Sequence, residues 1–66
     1  MINKNDIGKR VLVNWMIPSH EWVLIGFRKI PRSDGTEKEV AVIKNKYSEV
    51  KEDVDIYDVF LDTRNI

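Results

Sequence analysis

The chain has no cysteine, one histidine, two prolines and three glycines among its 66 residues. Without cysteine there is no disulfide framework, no thiolate metal site and no thiol nucleophile, a pattern that fits a reducing cytoplasm. No stretch approaches the ~20 apolar residues that a bilayer-spanning helix needs. The segment Met1-Ile2-Asn3-Lys4-Asn5-Asp6 lacks the apolar run of a signal peptide. A soluble, cytoplasmic protein without membrane association is therefore the expectation. Net charge is lacking as well, because eleven basic residues cancel eleven acidic ones. The basic footprint of a strong nucleic-acid binder is missing at the level of the whole chain.

What is present is a hydrophobic fraction of 42%, enough for one core in one domain spanning residues 1–66. A chain this short buries only about 60% of the surface its unfolded form exposes. A single unstapled core of this size supplies roughly 3–5 kcal/mol, so self-association is one route to further stability. The charges are unevenly placed. Residues 1–46 carry a balance of +4 and residues 47–66 a balance of −4. Pairing of the two halves within the chain is the simplest use of such a dipolar pattern; separate basic and acidic faces are the alternative.

Periodicity places the strands. In Lys9-Arg10-Val11-Leu12-Val13-Asn14-Trp15-Met16, Val11, Val13 and Trp15 share one face, and β-branched enrichment supports a strand. Pro18 ends it, because it cannot donate to a ladder. The second strand is apolar on both faces, with Trp22, Leu24 and Gly26 on one and Val23, Ile25 and Phe27 on the other. That marks a central or curling strand, and Gly26 predicts a bulge or bend within it. Ser33-Asp34-Gly35 supplies a turn, and the third strand follows with Val40 and Val42 facing opposite Ala41 and Ile43. Asn45-Lys46-Tyr47 reads as a tight connection and Ser48-Glu49-Val50-Lys51 as a short fourth strand. Beyond it, Val50, Val54, Tyr57 and Leu61 recur at helical spacing. Poor helix formers and interrupting aspartates argue instead for one helical turn around Ile56–Val59, leading into a last strand at Phe60-Leu61.

Gly8-x-x-Val11-x-Val13-x-Trp15, Trp22-x-x-x-Gly26, Val40-x-Val42, Tyr47-x-x-Val50 and Ile56-x-x-Val59 together resemble the SH3-like superfold, in particular its Tudor and KOW types. The resemblance implies a mainly β fold, a small five-stranded antiparallel barrel with a short C-terminal helical turn. A three-stranded antiparallel sheet plus a C-terminal helix, an α+β fold, is the alternative. Such folds host many unrelated functions.

Catalysis finds little support. Ser19, His20 and Glu21 are immediate neighbours, and a triad needs converging rather than consecutive side chains. No catalytic residue and no cofactor are expected. Glu49, Glu52, Asp53, Asp55, Asp58 and Asp62 lack the spacing and turn glycine of a calcium loop, so they read as a solvated acidic face and not as a metal site. Under the resemblance, Trp15, Trp22 and Tyr47 come together at one end, where a Tudor-like domain can form an aromatic cage for a methylated cation, with Glu21 or Glu49 adding charge. Core packing is the simpler account of two tryptophans in so small a chain. Arg28, Lys29 and Arg32, beside Phe27 and joined across the sheet by Lys9 and Arg10, form the candidate nucleic-acid face, with solubilising hairpin charges as the simpler account.

Free strand edges give a third mode. They can accept a strand from a partner or from a second copy, giving a homodimer by edge-strand pairing. An apolar patch of Trp22, Leu24 or Phe27 would then be covered on association. The chain reads as complete from Met1, and its size and composition resemble those of bacteriophage or mobile-element accessory proteins. The function expected first is a non-enzymatic protein-binding module, of the type that inhibits or modulates a host protein. Its partner-binding candidates are Trp15, Trp22, Tyr47, Phe27, Arg28, Lys29 and Arg32. A weak nucleic-acid-binding barrel is the alternative.

Overall fold

The computed structural model describes residues 2–15 and 21–63. Five strands form one antiparallel sheet: β1 (Arg10–Val13), β2 (Trp22–Pro31), β3 (Glu37–Asn45), β4 (Lys51–Asp55) and β5 (Val59–Leu61), in the spatial order β4-β3-β2-β1-β5. Single 3₁₀ turns at Lys4–Asp6 and Ile56–Asp58 complete the described fold. The mainly β class and the helical turn before a short last strand match the expectation, and the helical stripe through Val54 and Tyr57 forms no helix.

The sheet is rolled. Four inter-strand spacings of about 4.8 Å would put β4 and β5 roughly 19 Å apart in a flat sheet. Only Ile56–Asp58 connects Asp55 to Val59, and at the ~2.0 Å rise of a 3₁₀ turn that bridge covers under about 10 Å. The edges must curl toward one another. No ladder joins β4 to β5 among the described residues, so the sheet is not closed into the barrel expected.

A bulge contributes to the curl. Leu24 pairs with Ile43 and Gly26 with Val42, leaving Ile25 as the extra residue. The insertion flips the alternation of β2, so Phe27 rather than Gly26 faces the core beside Ala41. The core on the concave face is built from Val11, Val13, Trp22, Leu24, Ala41, Ile43, Val54 and Val59, with Ile2 packed into it and Phe27 and Ile56 at its margin. Trp22 and Leu24 are therefore interior, and the exposed patch expected from them does not exist.

Ile2 is carried to the core by the first 3₁₀ turn. There the Asn3 side chain accepts from the Asn5 amide at 2.8 Å, and buried Asp6 accepts from the Asn3 amide at 2.9 Å, a capping box on a single turn.

Two further expectations shift. β1 is confined to Arg10–Val13, with Asn14 and Trp15 in a turn; Met16, Pro18 and His20 lie outside the described residues. The fourth strand is Lys51–Asp55 rather than Ser48–Lys51. The reason lies in Asn45, whose side-chain oxygen accepts from the amides of Tyr47 (2.9 Å) and Ser48 (3.0 Å) while Glu49 adopts φ +62°. That turn consumes Lys46 to Glu49 before Val50 O meets Asn45 N. The β2–β3 turn is as expected: Gly35 N donates to Arg32 O, Arg32 N donates to Thr36 O, and Gly35 takes φ +89°, the three-residue hairpin with a left-handed glycine.

Candidate functional site

The ladders sort the convex side chains into two regions. Across β2–β3–β4, Arg28 pairs with Asp53 and Lys38 with Asp55, each at 3.3 Å. Arg28 on β2 and Asp55 on β4 are the register partners of Val40, and Lys38 lies two residues before it on β3, so the aliphatic stems of Arg28 and Lys38 help to explain why Val40 is 3% exposed on this side. Across β5–β1–β2 the corresponding positions are mostly apolar. Phe60 stands directly opposite Leu12, Val23 opposite Arg10, and Ile25 sits in the bulge. Phe60 is 47% and Ile25 37% exposed, with Leu12 and Val23 half-buried. Arg10 and the Glu21–Lys46 pair at 3.3 Å rim this apolar strip. Among the described residues this strip stays partly exposed, so β2 is apolar on two faces, of which the concave one, with Trp22 and Leu24, is buried.

The residues singled out from sequence are dispersed by this fold. Trp22 is buried in the core, and its indole Nε1 has no hydrogen-bond partner among the described residues. Trp15 (65% exposed) and Tyr47 (74%) lie on the connections flanking the start of β2. The Lys46 ammonium stands 5.8 Å from the Tyr47 ring centroid, while Glu21 pairs with Lys46 and Glu49 with Lys44. The cage thus has two exposed rings, one already facing an internal cation, and its carboxylates are engaged. Phe27 lines a groove of about 280 Å³ with Ile2, Asn3, Lys4 and Glu39.

The basic trio is split. Arg28 is on the convex face with Asp53, Lys29 is opposite Glu39 on the concave side, and Arg32 is at the hairpin tip. Arg32 borders a polar groove of about 380 Å³ with Lys38, Asp55 and Tyr57. Lys9, which was to extend the cluster, binds Asp6 at 3.4 Å. Alternation explains the dispersal, because the consecutive residues Arg28 and Lys29 must point to opposite faces and Arg32 lies past the end of β2, while the inserted Ile25 sets which face each takes.

Two carboxylates titrate below the ordinary aspartate range. Asp34 is lowered first by the Thr36 hydroxyl at 2.6 Å and then by the Thr36 amide. Asp55 is lowered first by the Tyr57 amide at 3.0 Å, with Lys38 adding to it and desolvation opposing. Both hold turns. Among the described residues no group of three metal-ligating side chains converges.

Leu12 and Phe60 escaped the sequence reading of the site, which treated Phe60 only as the start of a strand. The available signal was the apolar character of both β2 faces. Comparison with protein-family models, with curated proteins and with solved structures finds no match for this chain.

Proposed function

We propose that this protein is a non-enzymatic protein-binding module on an SH3-like sheet, acting on a protein of the cell in which it is made. The observation that carries the reading is the apolar convex strip of Phe60, Leu12, Val23 and Ile25, bordered by Arg10 and the Glu21–Lys46 pair. Exposed apolar side chains grouped on one face and rimmed by charge are characteristic of a surface that a partner covers. Separation of Arg28, Lys29 and Arg32 onto different faces makes the nucleic-acid alternative the weaker reading, because few phosphates could be neutralised together.

The test is an affinity pull-down from native cells with mass spectrometry, comparing the parent chain with Ile25→Lys. A protein recovered reproducibly by the parent and lost from the variant, with its circular dichroism spectrum unchanged, supports the reading. Equal recovery by both, or nucleic acid alone, overturns it.

A further inference from the structure

Among the described residues β4 and β5 each have one edge without a paired strand, and the two edges are unlike. Asn45 N donates to Val50 O, and with the β3–β4 register this directs the outward backbone groups of β4 to Lys51, Asp53 and Asp55. All three carry charge, the usual protection of an edge against pairing. On β5 the ladder bonds Asp62 N to Arg10 O and Asn14 N to Asp58 O, each at 3.0 Å. Because hydrogen-bonded pairs alternate, Phe60 addresses β1, while Val59 and Leu61 turn their N–H and C=O groups to the open edge. The strand itself, Val59-Phe60-Leu61, has no charge, and Phe60 and Leu61 are 47% and 36% exposed.

We infer that the β5 edge accepts an extended segment of a partner protein as a sixth, antiparallel strand, and that this segment carries an apolar centre flanked by basic residues two positions to either side. The inference rests on the protein-binding reading and names its partner's chemistry. The residue opposite Phe60 lies on the convex face next to Phe60, on the side away from Leu12, where an aliphatic side chain continues the apolar strip outward. Its two neighbours pair with Val59 and Leu61 and supply the ladder. The next residues outward lie opposite Asp62 and opposite Asp58 at the end of the 3₁₀ turn, where Asn14 Nδ2 donates to Asp58 Oδ1 at 3.2 Å and leaves the carboxylate its charge, so lysine or arginine there meets opposite charge.

The same register disfavours a second copy of this chain. Two β5 strands paired through Val59 and Leu61 would centre on Phe60 and oppose Asp58 with Asp62 twice, like charge against like.

A blocked heptapeptide, Thr-Lys-Val-Ile-Val-Lys-Thr, is the probe, titrated into the full ¹⁵N-labelled chain at low salt. The expected result is slowing of amide exchange at Val59 and Leu61 by at least tenfold, the mark of new ladder bonds. Methylating the two valine nitrogens removes the donors and keeps the side chains, so that peptide should lose the effect. Replacing both lysines with glutamate should weaken binding by roughly tenfold, since two attractive cross-strand pairs become repulsive. Leu61→Pro blocks the edge without touching a β1 bond and should abolish binding; the methylated peptide makes the same point if that variant is unstable.

Unchanged exchange at Val59 and Leu61 with millimolar peptide, or equal binding of the glutamate peptide, overturns the inference. So does a parent dimer that Leu61→Pro dissociates, because the occupant is then a second copy. Shifts confined to Leu12, Val23 and Ile25 that survive Leu61→Pro and vanish in Ile25→Lys also overturn it, while leaving the protein-binding reading intact.

Discussion

Glu49 takes a backbone conformation that belongs to glycine. Its φ of +62° lies in the left-handed region, which costs a residue bearing a Cβ roughly 1–2 kcal/mol. Its amide donates to Asn45 O at 3.2 Å, a bond that glycine would keep, and its side chain, 78% exposed, makes an ion pair to Lys44 at 3.5 Å, where such surface pairs contribute about 0–1 kcal/mol. Glu49→Gly is therefore expected to stabilise the fold by about 0.5–1 kcal/mol, after the added freedom of the unfolded chain is set against the relieved strain. A rise in the urea midpoint at unchanged slope checks it. Gly26 is the opposite case. It was legible as the mark of a bulge, and the bulge is there, but a Cβ at Gly26 meets nothing within 4 Å and its φ is not positive. The irregularity is carried by Ile25, and the reason it was misplaced is that a bulge follows from pairing register, which one strand's sequence does not contain.

The turns impose a pH dependence on the elements they join. Asp34 and Asp55 both bind protons less tightly folded than unfolded. The unfolded chain then takes up more protons in acid, so stability rises with pH through this range. Their contribution is complete above the ordinary aspartate value of 3.8 and is lost as pH falls through the lower folded values. Denaturation midpoints measured from pH 6 down to about pH 2 should decline mainly below about pH 4, with a smaller decline in an Asp34→Asn, Asp55→Asn double variant.

The central hairpin is the mechanical core of the sheet. Leu24 and Ile43 are directly paired and fully buried. Leu24→Ala should cost about 2–5 kcal/mol, comparable with the whole stability expected of a core this size, and far-ultraviolet circular dichroism should show a largely unfolded chain at 37 °C. The β2–β3 hairpin and the Ile56–Asp58 turn were readable because apolar alternation and local capping residues specify them. β4 was misplaced because Asn45 captures two amides and extends the turn to Val50, which hydrophobic pattern alone does not reveal.

At the scale of the molecule, the class of fold was legible and the location of the exposed apolar strip was not. Pattern identified apolar residues on both sides of β2, yet which side faces the core depends on strands paired from distant parts of the chain. Trp22 went the way core packing favoured: a large aromatic beside a loop has the composition of a ligand contact, and it is buried in the core. The opposed charges of the two halves do meet within the molecule, as Arg28–Asp53, Lys38–Asp55 and Lys44–Glu49. That internal pairing is the simpler of the two readings of the dipolar sequence.

The pairing of β5 with β1 also has a kinetic meaning. β2, β3 and β4 follow one another through short connections, whereas Val11 meets Leu61 across some fifty residues of chain. Contacts so distant carry the largest loop-closure entropy and form late, and a three-residue strand adds little to hold them once made. Native-state hydrogen exchange should find the Phe60 amide opening at a lower free energy than the amides of Leu24 and Ile43. The last strand to arrive is then the first to leave. Any ligand gripping it would act as a clasp on the whole roll, raising the melting temperature of the protein as it binds.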